Sequence, residues 1–349
     1  MNKRNFLRTS LFISLALLVA SCKKNPLPCD CKNGGVPTVK VFATGLNNPR
    51  GLKFGPDGNL YVAEAGIGGT DSTVGICEQV VFPIGPYVGS PNGGRISKIN
   101  HAGTRTTVTD QLPSSKANEI IGGDIEGVSD VEFIGNKLYA LLAGAGCSHG
   151  VKDISNGVIR IHDNGSWTMV ADLSAFQKAH PVQNPSPGDF EPDGTPYSMV
   201  NVNGNLYVVE PNHGDFMKVT PQGDITEIAD ISASQGHIVP TAVTFREGNF
   251  YVGNLHTFPV TPGSSSIYKI TPTGQVSVAI TGFTTILGVT FDEWGRLYVL
   301  ENTTVAGMSP TPGTGDIVRV DHNGNKETLV TGLSLPTALT FGPDGKLYV

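Results

Sequence analysis

The stretch "FGPDGNLYV", Phe54–Val62, decides the fold, because "FGPDGKLYV" returns as Phe341–Val349 with one residue changed. Looser copies lie between them: "FIGNKLYAL" from Phe133, "NVNGNLYVVE" from Asn201, "FREGNFYVGN" from Phe245 and "FDEWGRLYVLE" from Phe291, six in all. Each follows a short apolar strand with a turn ahead of it, as in "ATGLNNPRGLKF", "IVPTAVTF" and "VTGLSLPTALTF". Five of the six are followed by an alternating segment closed by a glycine turn, such as "GVIRIHDNG" or "SIYKITPTG", and then by one more strand, such as "TRTTVTD" or "QVSVAIT". The unit is therefore four short strands, A to D. "GPDG" is its A–B turn, with proline fixing the first corner and glycine the left-handed last one. Asp57 and Asp344 are expected to bond their own turns and to have no chemical role.

The rest of the composition agrees. The chain has 349 residues, and its 44 glycines and 24 prolines are spread throughout, as many short strands with tight turns require. Outside the extreme N-terminus no segment has a long apolar face at helical period, so the body is read as almost all β. A four-stranded unit repeating at roughly 45 to 50 residues is the signature of a β-propeller. The fold class expected is all-β: a six-bladed β-propeller of four-stranded blades over 38–349. The chain stops inside strand B of the last blade. The N-terminal "TVKVFA", Thr38–Ala43, precedes the first "TGL" as the D strands precede the others, so it is expected to close the last blade as its outer strand. Strand C of that blade is missing, and the sequence is read as truncated before its natural end.

The N-terminus is separate. "MNKRNFLRTSLFISLALLVASC" has Lys3, Arg4 and Arg8, then an apolar core from Leu11 to Ala20 too short to span a bilayer, then Val19-Ala20-Ser21-Cys22. This ending resembles the bacterial lipobox, which implies a signal peptide over 1–21 and lipidation of Cys22. Residues 22–37 then form a flexible tether. The expected product is an exported lipoprotein of the cell envelope, held on a membrane through Cys22 at the periplasmic or outer face. Export also changes how the cysteines are read. Cys77 and Cys147 fall in long loops of neighbouring repeats and are expected to pair, whereas two isolated cysteines without ligands at zinc spacing make a poor metal site. A net charge of −6 without a basic cluster argues against nucleic acid as a partner. A monomer is expected.

In a propeller the D–A and B–C loops share one face. Here that face carries the long segments Ala65–Gly93, Asp110–Val128, Ala143–Asn156 and Leu173–Pro196, all from blades 1 to 3, so a lidded funnel is expected there. "HPVQNP" and "DFEPDGTPY", with His180, Asp189, Glu191 and Asp193, are read as turns of that lid. Three residues before the aromatic that ends strand A stand Gly51, Asp130, Ala242, Gly288 and Ala338. Small side chains suit a crowded axis, and Asp130 is the exception. At the B-strand exits stand Glu64, Glu210, Asn254 and Glu301, with His213 and His256 just beyond. Oxygen ligands from Asp130, Glu210, Asn254 and Glu301 converging on the axis would suit calcium. A cofactor-free ring with these acids acting as loop caps is the alternative. No Gly-x-Ser-x-Gly, His-Glu-x-x-His or phosphate-binding glycine loop occurs.

Several segments resemble the ScyD/ScyE family of secreted six-bladed propellers: "NNPRGLKFGPDGNLYVAEAGIGG", "GVSDVEFIGNKLYALLAG", "YVGNLHTFPVTPGSSSIYKI" and the "DLSAF" lid, over roughly Thr38 to the end. The resemblance implies fold and export and no settled reaction, and Cys147 and His149 have no place in its pattern. Three function classes follow. The first is a binding module for a small molecule, glycan or peptide, with Arg50, Glu64, Asp130, Glu210, Asn254, His256 and Glu301 as candidate ligand contacts. The second is a calcium-dependent hydrolase similar to the gluconolactonases. The third is a quinoprotein sugar dehydrogenase, for which Arg50 and His256 are isolated candidates.

Overall fold

The computed structural model describes residues 37–349. Residues 1–21, Cys22, Cys29 and Cys31 lie outside them. Successive antiparallel four-stranded sheets make the blades of a β-propeller. Blade 1 contains β1 (Pro49–Phe54), β2 (Leu60–Glu64), β3 (Val88–Ile99) and β4 (Arg105–Lys116), with a short β5 (Ile125–Glu126) added outside. Blade 2 is β6 (Val128–Ile134), β7 (Lys137–Leu142), β8 (Gly157–Ile161) and β9 (Trp167–Asp172). Blade 3 is β10 (Ser198–Val202), β11 (Asn205–Glu210), β12 (Asp215–Val219) and β13 (Ile225–Asp230). Blade 4 follows with β14 (Pro240–Arg246), β15 (Asn249–Asn254), β16 (Ser265–Ile270) and β17 (Val276–Phe283). Blade 5 closes the set with β18 (Ile286–Phe291), β19 (Leu297–Glu301), β20 (Gly315–Val320) and β21 (Lys326–Leu333).

Five blades are thus complete, not six. The sixth unit is the two-stranded pair β22 (Thr340–Phe341) and β23 (Leu347–Tyr348). Thr38–Ala43 is not a strand, contrary to the sequence expectation. An outer strand pairs only with a C strand, and this sheet holds A and B alone, so the segment has no ladder to join. It packs by side chains instead: Phe42 sets its ring edge-on to Tyr348 at 5.0 Å, while Val39 and Val41 face outward.

The cores lie between blades. Ala63, Ile96 and Leu112 of blade 1 pack on Val131, Ala140 and Ile159 of blade 2, and the same arrangement recurs round to Leu60 and Val62 against Tyr348. One contact repeats with little change. The tyrosine of strand B meets, edge to face, the phenylalanine that ends strand A of the next unit: Tyr61 on Phe133 (5.0 Å), Tyr251 on Phe291 (5.1 Å) and Tyr298 on Phe341 (5.0 Å). The last pair is Tyr348 on Phe54, also 5.0 Å, which joins the final phrase to the first. The turn reading of the aspartates fits as well: Asp57 accepts from Asn59 N and Tyr61 Oη, and Asp344 from Lys346 N and Tyr348 Oη. At the axis, Gly51, Asp130, Ala242, Gly288 and Ala338 line a narrow channel of about 100 Å³. A Cβ on Gly51 would come within 2.0 Å of Asp130 Oδ1, so nothing larger than glycine fits there.

The lid is partly regular. Part of the two segments expected as loops over blade 1 is strand, because β3 and β4, 12 residues each, run on as a hairpin above the sheet. The Leu173–Pro196 segment opens with the helix α1 (Leu173–Ala179), whose N-terminus is capped by Asp172 accepting from Ala175 N at 2.8 Å. Cys77 and Cys147 are disulfide-bonded across a separation of 70 residues. Closing a loop that long removes roughly 4 kcal/mol of unfolded-state entropy in the chain-entropy model.

A double-mutant cycle on Tyr251 and Phe291, read by urea unfolding, is expected to give a coupling of about 1 kcal/mol. Additive single substitutions would mean that these rings contribute burial only.

Candidate functional site

The acids predicted from the repeat do not meet. Glu64, Glu210, Asn254 and Glu301 end β2, β11, β15 and β19, and each ties the loop entering strand A of its own blade. Glu64 accepts from Asn47 N, Glu210 from Thr195 N at 2.7 Å, and Glu301 from Thr284 N, while Asn254 Nδ2 donates to Ile238 O at 2.8 Å. Arg95 and Ser97 also bind Glu64, and Ser266 N donates to Asn254. Asp130 lines the channel, but its carboxylate accepts from Val131 N and Met199 N, both at 2.8 Å, and burial pushes it up to about 7. The expected calcium set of Asp130, Glu210, Asn254 and Glu301 is therefore four separate backbone clasps spread round the ring.

A different group of residues converges at the funnel mouth. A cleft opens there, lined by Arg50, Tyr87, Glu126, Glu191 and Tyr197, and runs without a break into the groove beside β23. Arg50, at the start of β1, lines it and donates from Nη2 to Ile125 O at 2.6 Å. Burial alone would lower the Arg50 guanidinium, but Tyr197, Glu126 and Asp124 outweigh this and raise it. His256 lines the same cleft in a left-handed backbone conformation (φ 69°). Asp189 and His237 also line it and are paired at 2.7 Å.

Beside Arg50, the end of β5, the turn after the disulfide and the lid segment bring Glu126, His149 and Glu191 together. His149 Nε2 is 3.1 Å from Glu126 Oε2 and 3.1 Å from Glu191 Oε2. Among the described residues these are the only three His, Cys, Asp or Glu side chains whose ligand atoms all lie within 4.8 Å of one another. His149 is fully buried, and burial alone would lower its pKa. The two carboxylates outweigh that and raise it to about 10, so without another cation the ring is an imidazolium. Burial and the neighbouring Glu126 charge raise Glu191 in turn. Tyr87 packs on the imidazole with ring centroids 4.7 Å apart and places its hydroxyl 3.3 Å from Glu126 Oε1.

No sequence pattern marks Tyr87, Glu126, Tyr197 or His237; Asp189 and Glu191 stand in a segment that reads as turns, and His149 has no place in the repeat. The available signal was the disulfide: it pins Cys147, and His149 is two residues further on. Arg50 and His256, both predicted as ligand contacts, do reach the cleft.

No protein-family model matches the chain, and no curated protein does. Among solved structures it is similar to a protein of unknown function from Bacteroides thetaiotaomicron VPI-5482, at 13% identity over 90% of this chain and 69% of that one, with a TM-score of 0.55. A candidate gluconolactonase superposes with a TM-score of 0.50 at 15% identity over 88% of this chain and 87% of that one. A Xanthomonas campestris gluconolactonase does so at 0.50 and 12% identity, over 88% and 84%. At these identities the likeness is one of fold.

Glu210 gives the clasp positions a pH signature. Burial alone would raise it, but His213 and the backbone donors Thr195 N and His213 N hold it at about 2, against an ordinary 4.5. A depressed carboxylate contributes stability that is present above the unfolded value and lost as pH falls through the folded one. The window therefore runs from about pH 4.5 down to about 2, and the full loss is on the order of 3 kcal/mol. Urea unfolding at pH 5 and pH 2.5 is expected to show a larger drop for wild type than for Glu210→Gln. Equal drops would place the acid sensitivity elsewhere.

Proposed function

We propose that this chain is an exported, lipid-anchored propeller of the ScyD/ScyE type that acts as a monomer and binds a small polar molecule, glycan or peptide in the funnel formed by the blade 1–3 loops. The observation that supports it is Arg50. A half-buried guanidinium at a concave mouth spends one Nη2 proton on Ile125 O and keeps others for a ligand. Tyr197 beside it, whose hydroxyl already faces the guanidinium and Thr337 O, adds an aromatic face for the apolar side of a ligand. Surface association rests on Cys22, within the sequence that matches a lipobox.

Small-molecule, glycan and peptide panels are screened with the wild-type chain, and hits are remeasured by calorimetry with Arg50→Ala and Tyr197→Phe. Losing the guanidinium is expected to weaken binding about tenfold or more, and losing the hydroxyl alone by less. Unchanged affinity in Arg50→Ala would move the ligand away from this mouth. Separately, Cys22→Ser is expected to abolish labelling by radioactive palmitate and to release the protein from membranes. Retention of both would refute the anchor.

A second reading, a cation-dependent hydrolase of lactones like the gluconolactonases, is favoured by one observation: Glu126, His149 and Glu191 converge where the cleft opens, though their imidazole nitrogen does not suit the calcium expected from the sequence. A lactone panel with and without added cation tests it.

A further inference from the structure

We propose that Glu126, His149 and Glu191 form a site for one divalent transition-metal ion of the zinc class, bound through His149 Nε2 and one oxygen from each glutamate, with a further position open to the funnel. The inference goes beyond ligand binding at Arg50 and requires no catalysis.

The ligand spacing fits such an ion. Zinc bonds of about 2.1 Å in a tetrahedron leave neighbouring ligand atoms about 3.4 Å apart. Both N–O separations here are 3.1 Å and need to spread only slightly, and the two carboxylate oxygens lie within 4.8 Å of each other. The residues behind the imidazole fix its tautomer. Ser148 Oγ donates to Asp193 Oδ2 at 2.7 Å, so its hydroxyl proton is committed, and toward His149 Nδ1, 3.3 Å away, it can only accept. Nδ1 therefore carries the proton, as it does in metal-bound histidines held by an outer partner. Nε2 faces the two carboxylates in a buried place, so the proton it carries there is the one a metal ion would replace.

Glu126 supplies a second observation. Its Oε2 is buried without a hydrogen-bond partner, because at 3.1 Å from Nε2 it fails the angular requirement that Glu191 meets. An ion supplies what the imidazole N–H does not reach. Charge also closes: two carboxylates and a neutral imidazole carry −2, which one divalent ion cancels as the Nε2 proton leaves to solvent.

The donor set selects the class of ion. Calcium takes six to eight oxygens, whereas one imidazole nitrogen with carboxylates suits zinc, cobalt or manganese. Three protein ligands with an open fourth position is the arrangement of zinc sites that admit a further molecule. Glu126, Glu191 and Tyr87 line the funnel, so the open side faces it.

The full chain, purified in detergent with Cys29→Ser and Cys31→Ser so that no tether thiolate competes, is stripped with chelator and titrated with Co²⁺, Zn²⁺ and Ca²⁺. Calorimetry is expected to give one Zn²⁺ per chain, and Co²⁺ the intense visible bands of a tetrahedral N/O site. Near-isosteric Glu126→Gln and Glu191→Gln are expected to weaken Zn²⁺ binding at least about tenfold. Zn²⁺ should also raise the melting temperature of wild type and not of Glu191→Gln, a comparison made between proteins shown to be folded by circular dichroism. No binding by wild type, equal binding by both glutamine variants, or preference for Ca²⁺ over Zn²⁺ would each overturn the proposal. Arg50→Ala, which leaves the ion's ligands intact, separates this outcome from failure of the funnel-binding reading.

Discussion

The ring leans on an edge-to-face contact that joins four of its six junctions. At these a tyrosine of strand B projects toward the neighbouring unit, and the phenylalanine that ends that unit's strand A receives it. Around blade 3 the pattern lapses, because β10 ends without a phenylalanine and Tyr207 packs on Phe250 instead. Tyr348 on Phe54 is the point of return, and it holds although the sixth unit has only two strands. The contact also orients strand B, and the loops leaving its far end are carried to a common face.

That dependence explains what could be read in the sequence. The phrase, its spacing and the small residues near the axis all repeat, and repetition is visible in a single chain. So are the long segments that interrupt it, which is why the funnel face was legible. The acids at the B-strand exits were visible for the same reason, and that is why they misled. Glu64, Glu210 and Glu301 recur because each fastens the loop that enters its blade, as Asn254 does in blade 4, so a side chain that returns at the same place serves the unit.

The funnel, by contrast, is built from residues that break the pattern. Arg50, Glu126, His149 and Glu191 occur once each, at unrelated places in the repeat, and they meet only because three lid segments fold over one half of the mouth. No spacing rule announces such a meeting. The N-terminal segment failed as a predicted strand for a related reason: Thr38–Ala43 alternates as a strand should, but a strand is made by its neighbour, and the neighbour it requires is absent from the sixth sheet.

The disulfide has a consequence for the mouth. Cys147 begins the turn that carries His149, and Cys77 anchors it to the loop of another blade, with Thr73 Oγ1 donating to Cys147 O alongside. Without that bond the turn keeps its hydrogen bonds to Asp193 and the packing of Tyr87 on the imidazole, and loses its covalent tie to the loop of blade 1. The bond therefore ties the turn that carries His149 to blade 1 from outside the blade ladders, so the redox state of these two sulfurs bears on the mouth and not on the ring.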